Sequence, residues 1–173
     1  MSKELTAEQV RELLDYDPET GKLYWRNRDR NMFPNDRIWK TWNTRYSGKE
    51  AFTTVHPNGY LRGGIFKKDY LAHRVIWVVV HGYWPTEIDH VDRDAGNNRL
   101  SNIREVSHAQ NAANRVHPVG KSGHRGTFFF YGKWRTHVMQ NQKVVWRGSF
   151  SSPEAASAAY EAKRRELFGE FNR

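Results

Sequence analysis

Apolar residues recur along this chain with two periods, one near 3.6 and one near 2, and the switches between them lay out its elements. Thr6-Ala7-Glu8-Gln9 is a capping box, in which Thr6 and Gln9 satisfy each other's free amides; Val10, Leu13 and Leu14 then make one apolar helical stripe. Asp17-Pro18-Glu19-Thr20-Gly21 is a turn, and residues 22–26 alternate as a short strand does. Residues 51–55 and 60–66 are predicted strands joined through His56-Pro57-Asn58-Gly59, where Asn-Gly favours a tight hairpin. Over 70–81 the Val, Ile and Trp content favours a strand, but the length and Gly82, a good helix stop, predict a helix. Residues 87–90 and 100–106 read as strands. Ser107-His108-Ala109-Gln110 is a second capping box, opening a helix that carries Asn111 and Asn114.

Pro118 and Gly120 mark 116–122 as a linker between a domain at 1–115 and a smaller one at 123–173. Three short strands follow, at 125–130, 133–139 and 144–150. Ser151-Ser152-Pro153-Glu154 then opens a helix with Pro in its first turn. Ala155, Ala156, Ala159, Tyr160 and Leu167 form its predicted buried stripe, and Gly169 ends it. The chain is thus α+β, with a small three-stranded antiparallel sheet packed on one helix at its end. Residues 26–49 fit neither period. Arg26, Arg28, Arg30, Arg37, Lys40 and Arg45 lie there among Trp25, Trp39, Trp42 and Tyr46. This composition suits an arm along a phosphate backbone and equally a solvated loop whose tryptophans cap the core.

Charge sharpens the picture. The 173 residues carry a net charge of +9 and are 14% aromatic, which suits a polyanion whose bases or sugars offer flat faces. The excess is uneven: residues 1–114 hold 17 Lys/Arg against 15 Asp/Glu, residues 115–173 hold 11 against 4. There is no cysteine, which excludes disulfide staples and Cys-ligated zinc. The first residues lack the apolar run of a signal peptide, and 75–80, the longest strongly apolar run, is far too short to span a bilayer. A soluble cytoplasmic protein is expected.

The chemistry concentrates between Ile88 and Asn114. Asp89-His90 ends a predicted strand, a polar loop with Asn97-Asn98 follows, Asn102 opens the next apolar run, and Asn111 stands in the early turns of the helix. Carboxylate, imidazole and carboxamide brought together are what a hard divalent cation and a water nucleophile require. Taken singly, each has a plainer reading. Asp-His pairs arise by chance, Asn-Asn steps mark turns, and Asn111 suits a solvated helix face. Only their joint spacing favours a site. His73 is read as a half-buried structural histidine, and His108 as a solvent- or phosphate-facing one.

With Ala72-His73-Arg74 and Gly82-Tyr83-Trp84-Pro85 upstream, Asp89-His90, Asn102 and Asn111 resemble the HNH endonucleases with a ββα-metal (His-Me) finger, in the phage-encoded branch that includes homing endonucleases. The likeness covers roughly residues 5–115, with an N-terminal helix and hairpin extending the core. It implies that Asp89 and Asn111 bind one Mg²⁺ or Mn²⁺ per site and that His90 is the general base. Asn102 holds the loop, and the products carry 5′-phosphate and 3′-hydroxyl ends. Arg74 is placed toward the DNA backbone. Residues 122–173, with Trp146-Arg147-Gly148-Ser149-Phe150 and the Ala-Ala…Ala-Tyr helix, resemble the ethylene-response-factor (Apetala-type) DNA-binding domain. That likeness implies a sheet face reading duplex DNA through Arg125, Arg135, His137, Trp146 and Arg147, with Lys133 and Lys143 on phosphates. Phe128 and Met139 depart from that family's usual basic positions, so its base preference does not transfer.

The expectation is a metal-dependent, site-specific DNA endonuclease of homing type in a bacterial or phage-infected cell, with double-stranded DNA as partner and no membrane. The sequence leaves open monomer or homodimer, and nicking or double-strand cleavage. The alternatives are a non-catalytic DNA-binding regulator built on the same domains and a protein acting on structured RNA.

Overall fold

A computed structural model describes residues 4–114, 119 and 122–169. The expected linker at 116–122 lies almost wholly outside the described residues. The chain divides into two compact units, Met1–Glu105 and Val106–Arg173.

The first unit opens with helix α1 (Ala7–Leu13), whose capping box forms as the sequence requires: Thr6 and Gln9 exchange hydrogen bonds at 3.0 and 3.3 Å. Val10 and Leu13 are buried on its inner side, but Leu14 has left the helix. At φ −139° it begins strand β1 (Leu14–Asp17), so the predicted stripe bridges two elements. β1 pairs antiparallel with β2 (Lys22–Trp25), Tyr16 opposite Leu23. The turn between them is held by the Asp17 carboxylate, which accepts from Glu19 N and Thr20 Oγ1 at 2.9 and 2.6 Å. Residues 26–49 are less irregular than expected. After a 3-10 turn at Arg30–Met32 they form helix α2 (Asp36–Tyr46), capped by the Asn35 side chain on Ile38 N. Its inner face is Trp39, Trp42, Asn43 and Tyr46, a period carried by aromatics and an amide rather than aliphatics, and none of its residues is fully buried.

The strand expected at 51–55 is broken. Phe52 has φ 60°, and the run splits into β3 (Glu50–Ala51), which joins β2, and β4 (Thr54–Val55). The predicted hairpin pairs β4 with β5 (Leu61–Ile65). A second one, with positive φ at Phe66 and Lys67, pairs β5 with β6 (Lys68–Leu71). Helix α3 (Ala72–His81) starts two residues later than predicted because Tyr70 and Leu71 finish β6. Gly82 ends it at φ 84°, where a side chain is disfavoured. Strands β7 (Glu87–His90) and β8 (Ile103–Val106) pair to close the unit. The core is aliphatic, with Val10, Leu13, Leu14, Leu23, Ile65, Val75, Ile76 and Val78 almost wholly removed from solvent.

The second unit begins with helix α4 (His108–Asn114), opened by the predicted Ser107/Gln110 capping box. Strands β9 (Thr127–Phe130), β10 (Lys133–Gln140) and β11 (Lys143–Phe150) form an antiparallel sheet in the order β11-β10-β9, followed by helix α5 (Pro153–Phe168). Alternation sends Thr136 and Val138 inward, against α5. The buried residues of α5 are Ala156, Tyr160, Arg164 and Phe168, one every four residues; Ala155 faces solvent, and Ala159 and Leu167 are not fully covered, which corrects the predicted stripe. Arg164 is tolerated inside because it donates to Tyr160 Oη at 3.0 Å and lies over the Tyr160 and Phe168 rings. Gly126, at φ 70°, lets the backbone run against the Tyr160 ring; a Cβ there would stand 2.5 Å from it. Among the described residues no helix is long and apolar enough to cross a membrane.

Candidate active site

The loop between β7 and β8 is a closed set of polar side chains. Asn102, buried at the loop's end, accepts from Asp92 N at 3.0 Å and donates through Nδ2 to Asp92 Oδ1 at 2.9 Å and Asn97 O at 2.7 Å. The Asp92 carboxylate also takes the Asn97 amide at 2.6 Å and the Asp94 backbone N–H at 2.8 Å. These bonds, the Asn97 one foremost, hold its pKa below the usual carboxylate range. Arg93 sits at φ 68° inside the turn they close.

The N-terminal hairpin pins the same loop from outside. Tyr16 Oη donates to Asn98 O at 3.2 Å and accepts from Leu100 N at 2.9 Å; burial, opposed by the Leu100 bond, raises the phenol's pKa. Arg99 Nε donates to Glu19 O at 2.7 Å. Gly21, at φ 75°, lies so close that a Cβ would come within 2.6 Å of Arg99 N and 2.8 Å of Asn98 C.

His90 hangs from the last position of β7, buried, with Nε2 3.0 Å from Asn98 Oδ1. With the amide oxygen facing the ring, the Nε2–H tautomer makes this contact a hydrogen bond and leaves Nδ1 as the unprotonated nitrogen; Asn98 Nδ2 has no hydrogen-bond partner among the described residues. Asn98 is 1% exposed. Two further rings fix the imidazole, His73 edge-on at 5.1 Å and Tyr60 at 5.8 Å. His73 is itself buried, and its pKa falls from 6.5 to about 3, chiefly by desolvation, with smaller pushes from His90 and Arg74. It is therefore neutral, and adds no cation beside His90.

Asp89 points to the opposite side of the strand from its neighbour. Its Oδ2 accepts from Arg104 Nε of β8 at 3.0 Å, and the pair is ionic, with Nη2 2.9 Å away. Asn111 stands on α4, half-buried, its backbone N–H on Ser107 O at 3.0 Å. Among the described residues no three His, Asp or Glu side chains gather into a metal cage. A buried carboxylate plus a carboxamide is nonetheless a hard-oxygen donor set of the kind Mg²⁺ accepts, since that ion keeps several waters and takes phosphate oxygens to complete its shell. By donor type the two residues suit such an ion; Asp89 belongs to the first unit and Asn111 to the second.

The predicted nucleic-acid residues do not all share a surface. Cross-strand register puts His137 opposite Arg147 and Arg135 opposite Ser149 and Phe128, so Arg135, His137 and Arg147 share the sheet face away from α5. They line a depression of about 540 Å³ with Phe128, Phe130 and Val144. Lys133 and Lys143 are exposed at the strand starts. Trp146 is a correction: opposite Val138, it packs inward with the Tyr160–Phe168 cluster. Arg125 is another, paired with Glu161 of α5 at 3.4 Å rather than presented on the sheet. Arg74, half-buried on α3, donates to Thr86 O at 3.2 Å. Sequence reasoning missed Asn98, Arg104 and Tyr16. The Asn-Asn step offered a signal for the first, but it reads equally as a turn.

Residues 70–113 match the family model for HNH endonucleases, a stretch that contains Asp89, His90, Asn102 and Asn111. The chain is also 30% identical over 129 residues to an uncharacterized HNH endonuclease of Acanthamoeba polyphaga mimivirus. That match takes in 73% of this chain and 63% of the relative, so the chain spans a little under two thirds of the relative's length. No solved structure matches the chain. Both comparisons support a nuclease, and they converge on the stretch that carries the buried Asp-His pair.

Proposed function

We propose that the chain is a divalent-metal-dependent DNA endonuclease of homing type, with His90 as general base. The observation that carries this reading is the buried imidazole whose Nε2 is committed to Asn98, leaving Nδ1 to take a proton from an attacking water. Asn98 and the Tyr60 and His73 rings orient that base. Asn102 fixes the loop, and Arg104 holds Asp89. Asp89 and Asn111 would hold one Mg²⁺ or Mn²⁺. When bound, the ion supplies charge stabilisation at the scissile phosphate and at the leaving 3′ oxygen, so the products carry 5′-phosphate and 3′-hydroxyl ends. The second unit is read as an ethylene-response-factor-like module that selects the site through the open face of its sheet. This division suits a small centre that contacts few nucleotides.

The test is incubation with phage-sized and host genomic DNA, with Mg²⁺, with Mn²⁺ and with chelator, followed by sequencing of the ends. Metal-dependent cuts at recurrent sites with 5′-phosphates are expected. Tight DNA binding with no cut under any divalent ion would instead establish the non-catalytic regulator, and preference for structured RNA at matched salt would move the substrate class.

A further inference from the structure

We propose that the outer face of α2 is a second nucleic-acid contact, lying on the phosphate backbone of duplex DNA; the choice of DNA rests on the endonuclease reading above. The helix is 11 residues long and has a bare side. Arg37, Lys40, Thr41, Thr44 and Arg45, spaced i, i+3, i+4, i+7 and i+8, fall on one face, and all are exposed. The helix's one carboxylate, Asp36, stands a turn before Lys40, whose charge, after the Arg30 hydrogen bond, helps to lower its pKa. Asp36, at the helix start, is paired with Arg30, and among the described residues none of Arg37, Lys40 and Arg45 forms an ion pair. Three cations with two hydroxyls along about 12 Å of helix match the donor types that contact phosphate and sugar rather than bases.

An exposed basic face alone is most often solvated surface. What singles this one out is how firmly the opposite face is held, although no residue of the helix is buried. Asn43 exchanges two hydrogen bonds with the backbone of Arg28, at 2.9 and 3.0 Å, and Trp39 Nε1 donates to the same Arg28 carbonyl at 2.8 Å. The Arg28 guanidinium lies 3.9 Å from the Trp42 ring centre and 5.0 Å from that of Trp25. Burial draws its pKa down to about 10, and its Nε has no hydrogen-bond partner among the described residues. Desolvating a guanidinium is costly. A helix that adds nothing to the core is thus docked by a costly clamp, and what the clamp secures is the orientation of the basic face.

The experiment measures binding of the full chain to a labelled random-sequence duplex in chelator, across about 50 to 200 mM salt. In the R37A/K40A/R45A variant the slope of log K against log salt should shallow by roughly 2 to 3, about 0.9 for each phosphate left without its cation. In the charge-keeping R37K/K40R/R45K variant it should stay at the wild-type value. The substituted side chains are exposed, so the circular dichroism spectrum and melting midpoint of both variants should match wild type. An unchanged slope in the alanine variant overturns the proposal. So does equal loss in the charge-keeping variant, or a loss confined to duplex RNA. Cleavage is assayed separately with Mg²⁺. A chain that never cuts but shows the shallower slope removes the endonuclease reading and keeps this one, whereas a chain that cuts with an unchanged slope does the reverse.

Discussion

The loop between β7 and β8 and the open face of the β9–β11 sheet are both polar, yet they use their polar groups in opposite ways. In the loop, Asp92, Asn97, Asn98 and Asn102 are bonded to one another, to Tyr16 or to His90, and two of them are buried. On the sheet face, Arg135 lies against Phe130, His137 against Phe128, and both phenylalanines stand open to solvent. A buried, mutually bonded network holds few arrangements and suits a group that must be aimed before its substrate arrives. An exposed mixture of aromatics and cations is free to rearrange against a partner and suits recognition. The two regions should therefore fail differently when altered.

Replacing His90 with Ala gives the largest expected effect: single-turnover cleavage should fall by about 10² to 10⁴ while DNA affinity in chelator holds. An equal loss of affinity would mean that the loop binds rather than reacts. Gly21→Ala comes next. It forces a Cβ into Arg99 and Asn98 from a left-handed backbone, so urea melts should show a loss of about 2 kcal/mol or more, with cleavage falling in parallel. Asn98→Asp keeps the shape but sets a carboxylate against Nε2. The acid limb of the cleavage pH profile should move up by roughly one unit; an unmoved limb would confine Asn98 to packing.

His73 separates burial from chemistry. Its pKa of about 3 in the fold lies below the ordinary 6.5, so the unfolded chain takes up its proton first as pH falls. The stability this group contributes is whole above about 6.5 and drains by about 1.4 kcal/mol per pH unit down toward 3. A His73→Phe variant should lose less stability than wild type on acidification across that window, read from denaturation midpoints at several pH values. The smallest effect is expected on the sheet. Arg147→Ala should shallow the salt slope of binding by about 0.9 and leave the rate at saturating DNA unchanged.

What the sequence disclosed follows the same division. Elements fenced by local signals were legible: the Thr6 and Ser107 capping boxes, the Asn58-Gly59 turn, the Gly82 stop and Pro153 each act within a few residues. Helix α2 was not, because its period is written in Trp39, Trp42 and Asn43, which composition assigns equally well to a loop. β6 was absorbed into the following helix because Tyr70 and Leu71 suit either state until pairing with β5 decides. The Asp89, His90 and Asn102 spacing stood out in the chain, but the partners that aim those groups did not. Arg104 meets Asp89 only once β7 and β8 pair, and Tyr16 reaches Asn98 and Leu100 from more than eighty residues away. On the sheet, Arg135 and His137 are two residues apart and fall on one face, while the irregularity after Val138 makes the facing of Trp146 hard to count from sequence.

The hydroxyl of Tyr16, the carbonyl of Glu19 and the bare α-carbon of Gly21 all bear on the strand of chain that fastens His90. A fragment trimmed to the family-matching stretch would carry every letter of the motif and none of these braces. Such a minimal piece should be a poor starting point for engineering a compact cutter, and grafts onto new recognition modules should keep the chain from Thr6 through Asn114 rather than start at Tyr70.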